Sequence, residues 1–227
     1  MSVEAVILAA GQGTRMKSTL PKVLHPLAGK PLLGHVLQAV RQLGVARVHT
    51  IVGHGADAVQ ARYADDQQIN WVLQREQKGT GHALLQVMPH IETDNTILVL
   101  YGDVPLISVA TLQRLLSAVA DSSVALLTVN LSHPQGYGRI LRNSNGRVAG
   151  IVEEKDASEG EKLIKEVNTG IMAVKGSLLH RWLPMLSNDN AQGEYYLTDI
   201  IGMAAGEGYD VKAIAPEHHR EVEGINS

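Results

Sequence analysis

Two glycines, two cations and one carboxylate are the residues of this chain whose types and spacing suggest chemistry. Gly11 and Gly13 directly follow an apolar run. The backbone can turn sharply there and offer the free N–H groups of Gly11 to Thr14 as an anion-binding nest. Arg15 and Lys22 add two positive charges within the same loop, and Pro21 keeps the approach to Lys22 extended. A phosphate group is what such a loop suits. Asp103, in Tyr101-Gly102-Asp103, ends another apolar run, where a carboxylate can bind Mg²⁺ and set the ion among phosphates cradled by the loop. Taken alone, that tripeptide also fits a turn or an N-cap; beside a basic phosphate loop it reads as a metal ligand. Asn226 is a candidate amide-oxygen partner for the same ion.

Two further groups of residues suit the rest of a nucleotide or sugar. Gln74 offers a donor and an acceptor on one amide, and Gly79-Thr80-Gly81 permits close backbone approach, so together they could read a base edge. The same stretch also fits a polar loop ahead of a helix capped by Thr80. Gly136-Tyr137-Gly138-Arg139, Glu153 and Asn168-Thr169-Gly170 combine small residues with carboxylate and amide groups, as a sugar ring with several hydroxyls requires. Each is also an ordinary turn or strand end, and Gly193-Glu-Tyr-Tyr-Leu-Thr-Asp199 also fits a helix start.

Other glycine-loop and catalytic patterns fail on their own terms. A dinucleotide fingerprint needs a third glycine where Met16 stands and an acidic residue after the next strand, which closes with Val52 and Gly53. A G-x-x-x-x-G-K-[ST] loop is absent, since Gly29 is followed by Lys30 and Pro31. No G-x-S-x-G elbow occurs. Ten histidines show no H-E-x-x-H spacing, and His218 and His219 are adjacent, so none is read as a metal ligand.

The elements that must position these residues alternate. Strand runs at Val3–Ala10, Val48–Val52, Trp71–Leu73 and Ile97–Tyr101 are separated by helical patterns over Leu32–Leu43, Asp57–Tyr63 and Thr80–Met88. A further helix over Ser108–Val119 follows, with Ser108 as N-cap. This order predicts an α/β, Rossmann-like doubly wound sheet, mainly parallel, with right-handed crossovers. From Val124 the pattern changes. Strand-like runs at Val124–Leu131, Gly138–Leu141, Arg147–Glu153 and Val167–Val174 suggest a small antiparallel annex at about 130–174, laid over the carboxyl edge of the sheet, with 157–165 as a charged, exposed excursion. Helices near Ser177–Leu186 and Tyr196–Ala205 and a strand at Val211–Ala215 complete one unit spanning 1–227.

Composition bounds the function. Twenty Lys and Arg against 23 Asp and Glu, a formal charge of −3, argue against nucleic acid or a membrane surface as partner. Without cysteine there is no disulfide, zinc-thiolate or iron–sulfur chemistry, which fits the reducing cytoplasm. No leader pattern or apolar run of membrane-spanning length is present.

The run LAAGQGTRMKSTLPK at Leu8–Lys22 resembles the signature L-x-x-G-x-G-T-x-M-x(n)-P-K of sugar-nucleotide pyrophosphorylases. PKVLHPLAGKP, GTGHA, LYGDVPLI, GYGRI, GIVEEKDA, NTGI, NAQGEYYLTDI and EVEGIN narrow the resemblance to the bacterial N-acetylglucosamine-1-phosphate uridyltransferases, over essentially the whole chain. It implies the nucleotide-diphospho-sugar transferase fold and a reaction of UTP with N-acetylglucosamine 1-phosphate that gives UDP-N-acetylglucosamine for peptidoglycan and lipopolysaccharide synthesis. Carried over by position, it implies that Leu8, Ala9, Ala10, Gly11, Arg15 and Lys22 hold phosphates, Arg15 and Lys22 catalytically. Gln74, Gly79 and Thr80 would read uracil. Tyr101, Gly102 and Asp103 would border ribose and metal, and Asp103 with Asn226 would ligate Mg²⁺. Gly138, Glu153, Asn168, Tyr196 and Thr198 would surround the sugar. It also implies that this domain is the amino-terminal half of a bifunctional enzyme. The carboxyl-terminal acetyltransferase β-helix that makes the family trimeric is not in this chain, which is expected to be monomeric. The alternatives are transfer to a different sugar 1-phosphate and a non-catalytic sugar-nucleotide sensor.

Overall fold

The computed structural model describes residues 2–13, 16, 18–120 and 123–225. Eleven strands and six α-helices are formed among them. The strands are β1 (Val3–Ala9), β2 (Pro26–Leu27), β3 (Lys30–Pro31), β4 (Arg47–Val52), β5 (Ile69–Leu73), β6 (Thr96–Tyr101), β7 (Val124–Asn130), β8 (Arg139–Arg142), β9 (Val148–Val152), β10 (Glu166–Lys175) and β11 (Val211–Ile214). The helices are α1 (Leu32–Gln42), α2 (Ala56–Arg62), α3 (Thr80–Val87), α4 (Val109–Ala120), α5 (Gly176–Trp182) and α6 (Asp199–Gly206).

The main sheet runs β11-β7-β10-β6-β1-β4-β5. All neighbours along it pair in parallel except β10, which is antiparallel to both β6 and β7. Alternation along β1 explains why both faces are covered. Ala5, Ile7 and Ala9 pack into a core with α1, α2 and α4, while Val6 and Leu8 point into a second core with α3, α5 and α6. Glu4, fully buried within this apolar strand, is a polar exception.

The register aligns the strand ends that matter. Ala9 lies opposite Val52, Val52 opposite Leu73 and Leu8 opposite Tyr101, so the loops leaving β1, β4, β5 and β6 emerge along one carboxyl edge. β10 joins that edge to the hairpin of β8 and β9. Its downstream half, Met172–Lys175, lies between β6 and β7, whereas upstream Val167 pairs with both Val129 and Arg139. The register breaks between Asn168 and Met172, where Gly170 has φ +84°.

Several local expectations hold with shifted bounds. Ser108 Oγ accepts the Thr111 N–H at 3.2 Å, which is the N-cap bond expected for α4. The helix expected from Tyr196 begins at Asp199, leaving Tyr196 and Thr198 in the approach to it. The β2–β3 hairpin was not legible in the sequence; it turns through Ala28 and Gly29, both at positive φ. Among the described residues no helix is long and apolar enough to cross a membrane.

Candidate active site

A cavity of about 330 Å³ opens at the carboxyl edge, walled by Leu8, Ala9, Ala10, Gly11, Gly13, Lys22, Gln74, Gly79, Thr80, Tyr101 and Asp103, among others. These eleven residues, all singled out from the sequence, therefore share one wall. The glycines of the first loop divide their work. Nothing lies within 4 Å of where a Gly11 Cβ would project, so that side is open to a ligand. Gly13, at φ +60°, would place a Cβ 2.7 Å from Lys22 Cβ; its bareness lets the Lys22 stem run beneath the loop. Lys22 opens a short 3₁₀ turn whose Val23 and Leu24 are buried, which anchors the cation from below.

Lys22 Nζ forms an ion pair with Asp103 Oδ2, joining groups from the loops after β1 and β6. The Asp103 carbonyl accepts the Ile225 N–H at 3.0 Å, which ties the chain's last described residue to the same spot. That segment is itself held by buried Glu221, whose Oε2 accepts from Ser108 Oγ at 2.6 Å and Thr111 Oγ1 at 2.7 Å. Arg15 and Asn226 lie outside the described residues. Among the described residues no three His, Cys, Asp or Glu side chains cluster as a metal site. A single carboxylate facing a phosphate-sized space is the donor set that suits Mg²⁺, which takes one or two carboxylates and fills its shell from phosphates and water.

At the other end of the cavity Gln74 is buried just past β5. Its Nε2 donates to the Gly79 carbonyl at 3.2 Å. The glycines beside it answer to the protein. A Cβ on Gly79 would meet the Tyr195 carbonyl at 2.6 Å, and one on Gly81 would meet Leu186 Cδ1 at 2.4 Å. The close approach expected there is thus made by the 194–198 segment, which Gly81 N–H to Tyr195 O (2.8 Å) and Leu197 N–H to Thr80 Oγ1 (3.2 Å) stitch to α3. Thr80 is the first residue of α3, and the preceding Gly79 takes the capping position expected of it. Sequence reasoning missed Gln77, which lines the cavity and donates from Nε2 to the Gln74 carbonyl at 3.1 Å. The Gln-x-x-Gln spacing ahead of the glycines was the available signal.

Gly138, Glu153, Asn168, Tyr196 and Thr198 stand outside this wall, as does Gly102, which packs under the site where a Cβ would meet Val23 and Ala9. The first five make a second cluster. Thr198 Oγ1 donates to Glu153 Oε1 at 2.8 Å, the Glu153 carboxylate lies where a Gly138 Cβ would be 3.3 Å away, and Asn168 N–H donates to the Gly138 carbonyl at 2.9 Å. Tyr196 Oη donates to Asp156 Oδ2 at 3.0 Å. Burial pushes the Glu153 carboxyl above the usual carboxylate range; the Thr198 bond opposes the shift and nearby Asp199, Asp156 and Glu194 add to it. Tyr101 links the two clusters. Its ring packs on bare Gly170, and burial, then Glu153 and Asp103, raise its phenol well above the ordinary value. Arg139, expected near the sugar, is instead buried against Glu154 at 2.7 Å.

Residues 5–166 match the family described as MobA-like NTP transferase domain. Over 226 residues, the whole chain, the sequence is 58% identical to the Bifunctional protein GlmU of Pseudomonas aeruginosa. Over 225 residues, 99% of the chain, it is 55% identical to the protein of that name from Marinobacter nauticus. The chain spans about half the length, 49%, of these curated relatives. Among solved structures, a UDP-glucose pyrophosphorylase complexed with UDP-glucose superposes with TM-score 0.80 at 16% identity, covering 98% of this chain and 94% of that one. The inositol-1-phosphate CTP transferase of T. maritima gives TM-score 0.73 at 20% identity, covering 93% and 84%. At such identities these structures speak for the nucleotide-diphospho-sugar transferase fold alone.

Proposed function

The chain belongs to the MobA-like NTP transferase domain family, and from that premise we propose that it is an N-acetylglucosamine-1-phosphate uridyltransferase. It joins UTP and N-acetylglucosamine 1-phosphate into UDP-N-acetylglucosamine, with pyrophosphate released, in the cytoplasm. The observation that carries this reading is the meeting of Lys22 and Asp103 on a cavity bounded by the glycine loop at one end and Gln74 at the other. The 58% identity along the whole chain to a protein named GlmU supports the choice of sugar. In this reading residues 1–227 act as one transferase unit, and trimer formation belongs to the further half that the relatives possess.

The sugar phosphate is already ionised at neutral pH, so no general base is needed for its oxygen to attack the α-phosphorus in line. The protein's task is to hold the reactants and neutralise charge. The open side of Gly11 receives phosphate oxygens. Lys22 exchanges its carboxylate partner for the phosphates and, with Arg15, stabilises charge on the α-phosphoryl group and on the departing pyrophosphate. Asp103, with Asn226 as second ligand, would hold Mg²⁺, which supplies charge neutralisation among the phosphates when bound. Gln74 and the Gly79 backbone hold the base, while Glu153, Asn168 and Thr198 hold the sugar hydroxyls beyond Tyr101.

Pyrophosphate release tests the reading directly. With UTP and Mg²⁺, N-acetylglucosamine 1-phosphate is expected to outrun glucose 1-phosphate. Preference for glucose 1-phosphate would reassign the sugar, and nucleotide binding without release would make the protein a sensor.

A further inference from the structure

Gln74 can face the cavity in two ways, and they select different bases. Its Nε2 lies 3.2 Å from the Gly79 carbonyl and 3.1 Å from His82 Nδ1. A carbonyl oxygen only accepts, so the amide nitrogen must be the end that faces it. His82 Nδ1 must then be the unprotonated, accepting nitrogen of its ring. Gln74 Oε1 is left with no protein partner among the described residues, on a side chain that lines the cavity.

The His82 ring has a competitor for this role. Gln86 Nε2 sits 3.3 Å from His82 Nε2, but it already donates to the His82 carbonyl at 3.2 Å. A neutral imidazole accepts at one nitrogen only. The shorter contact goes to the more deeply buried amide, Gln74, which has less recourse to water. The Tyr195 ring, with centroids 6.3 Å apart, packs beside the imidazole and restricts its turning. His82 itself is not part of the cavity wall.

We propose that His82 is a positioning residue for base selection: its Nδ1 holds the Gln74 amide so that Oε1 alone faces the base. This rests on the uridylyl-transfer reading. An acceptor in that place takes the N3–H of uracil and opposes the lone pair at N3 of cytosine, so UTP is bound and CTP is rejected. Without the imidazole, the amide is held in this sense by Gly79 alone, and turning it over costs that bond and sets Oε1 beside the Gly79 carbonyl oxygen. A turned amide offers N–H to the base and suits cytosine.

The experiment compares kcat/KM for UTP and CTP in the wild type, His82→Leu and His82→Asn. Loss of one orienting hydrogen bond of about 1.4 kcal/mol corresponds to tenfold, so His82→Leu is expected to lower the UTP:CTP ratio by about that factor, chiefly through the KM for UTP. Asn places an oxygen near the position of Nδ1, and His82→Asn should restore most of the ratio. A His82→Leu protein that is folded and loses activity equally on both nucleotides would overturn the proposal. Ring ¹⁵N shifts of the wild-type protein test it without any variant: His82 must carry its proton on Nε2, and a proton on Nδ1 would overturn it even if His82→Leu did not fold. A wild type that turns over neither nucleotide would instead sink the uridylyl-transfer reading, while the ¹⁵N measurement still decided how Gln74 is held.

Discussion

The strands of the main sheet carry polar side chains at both ends, and the two ends treat them oppositely. At the amino end Glu4 of β1, His49 of β4, Asn70 of β5 and Asn95 before β6 form a closed set. Glu4 Oε1 accepts from Asn95 Nδ2 at 2.7 Å and Glu92 N–H at 3.2 Å, and Oε2 accepts from His49 Nε2 at 2.8 Å. His49 Nδ1 in turn accepts from Asn70 Nδ2 at 2.8 Å. Burial lowers the His49 pKa, which keeps the ring neutral. Burial would raise that of Glu4, but the donors from Asn95, His49 and Glu92 outweigh it and hold the carboxylate below its usual range. At the carboxyl end Gln74 Oε1 has no protein partner among the described residues, Glu153 sits against its own burial, and Lys22 and Asp103 neutralise each other where phosphate and metal are proposed to bind. A polar group satisfied within the protein contributes to the fold. One left unsatisfied costs stability and is available to a ligand.

Breaking the closed end should have the largest effect. Glu4→Ala strands three donors, the His49 ring N–H among them, and is expected to cost about 3–5 kcal/mol of unfolding free energy, on the scale of about 1–3 kcal/mol for each desolvated hydrogen-bonding group left unsatisfied. Denaturant titration measures it, and the folded fraction should keep its kcat. A Glu4→Ala protein that is stable but inactive would erase the contrast between the two ends. At the open end the sign reverses. Lys22→Ala or Arg15→Ala should lower kcat by roughly 10²–10³, the usual scale for one transition-state donor, with the unfolding midpoint nearly unchanged. Steady-state kinetics beside a thermal melt separates the two outcomes.

Glu153→Gln sharpens the contrast within one residue. Because burial raises the Glu153 pKa above its unfolded value, the native state holds this proton more tightly than the unfolded chain does. Stability therefore falls as pH rises from the ordinary carboxylate range through the raised native value, and stays lower above it. The variant should melt higher than the parent above that window and alike below it. Its KM for the sugar phosphate should rise about tenfold, since a charge-assisted bond becomes a neutral one, while the KM for UTP holds. Melting curves that differ equally at every pH would show that Glu153 is not paying a burial cost.

The main parallel strands and their crossover helices were legible because each is an apolar run or stripe bounded by glycine, proline or a cap such as Ser108, and those signals are local. The first loop was legible for the same reason: Gly11, Gly13 and Lys22 lie within twelve residues of one another. The place of β10 was not. Val167–Val174 read as one strand, yet the upstream half of β10 pairs with both β7 and the hairpin strand β8 while the downstream half lies between β6 and β7, with the register broken around Gly170. A pairing partner is chosen by residues far along the chain, and strand periodicity carries no record of it.

The chemistry of the site divides along the same line. Residue types and short spacings singled out a glycine loop, a carboxylate and an amide at strand ends, because backbone freedom, charge and hydrogen-bonding capacity are properties of the residues themselves. Which groups face one another depended on packing. The pairing of Lys22 with Asp103 spans 81 positions. The filling of the space beside Gly79 by the Tyr195 backbone and the contact of the Gln74 amide with His82 are equally products of the folded arrangement. Each follows from which strand ends lie side by side and from who already holds a neighbour's donor, quantities that come into existence only when the sheet has formed.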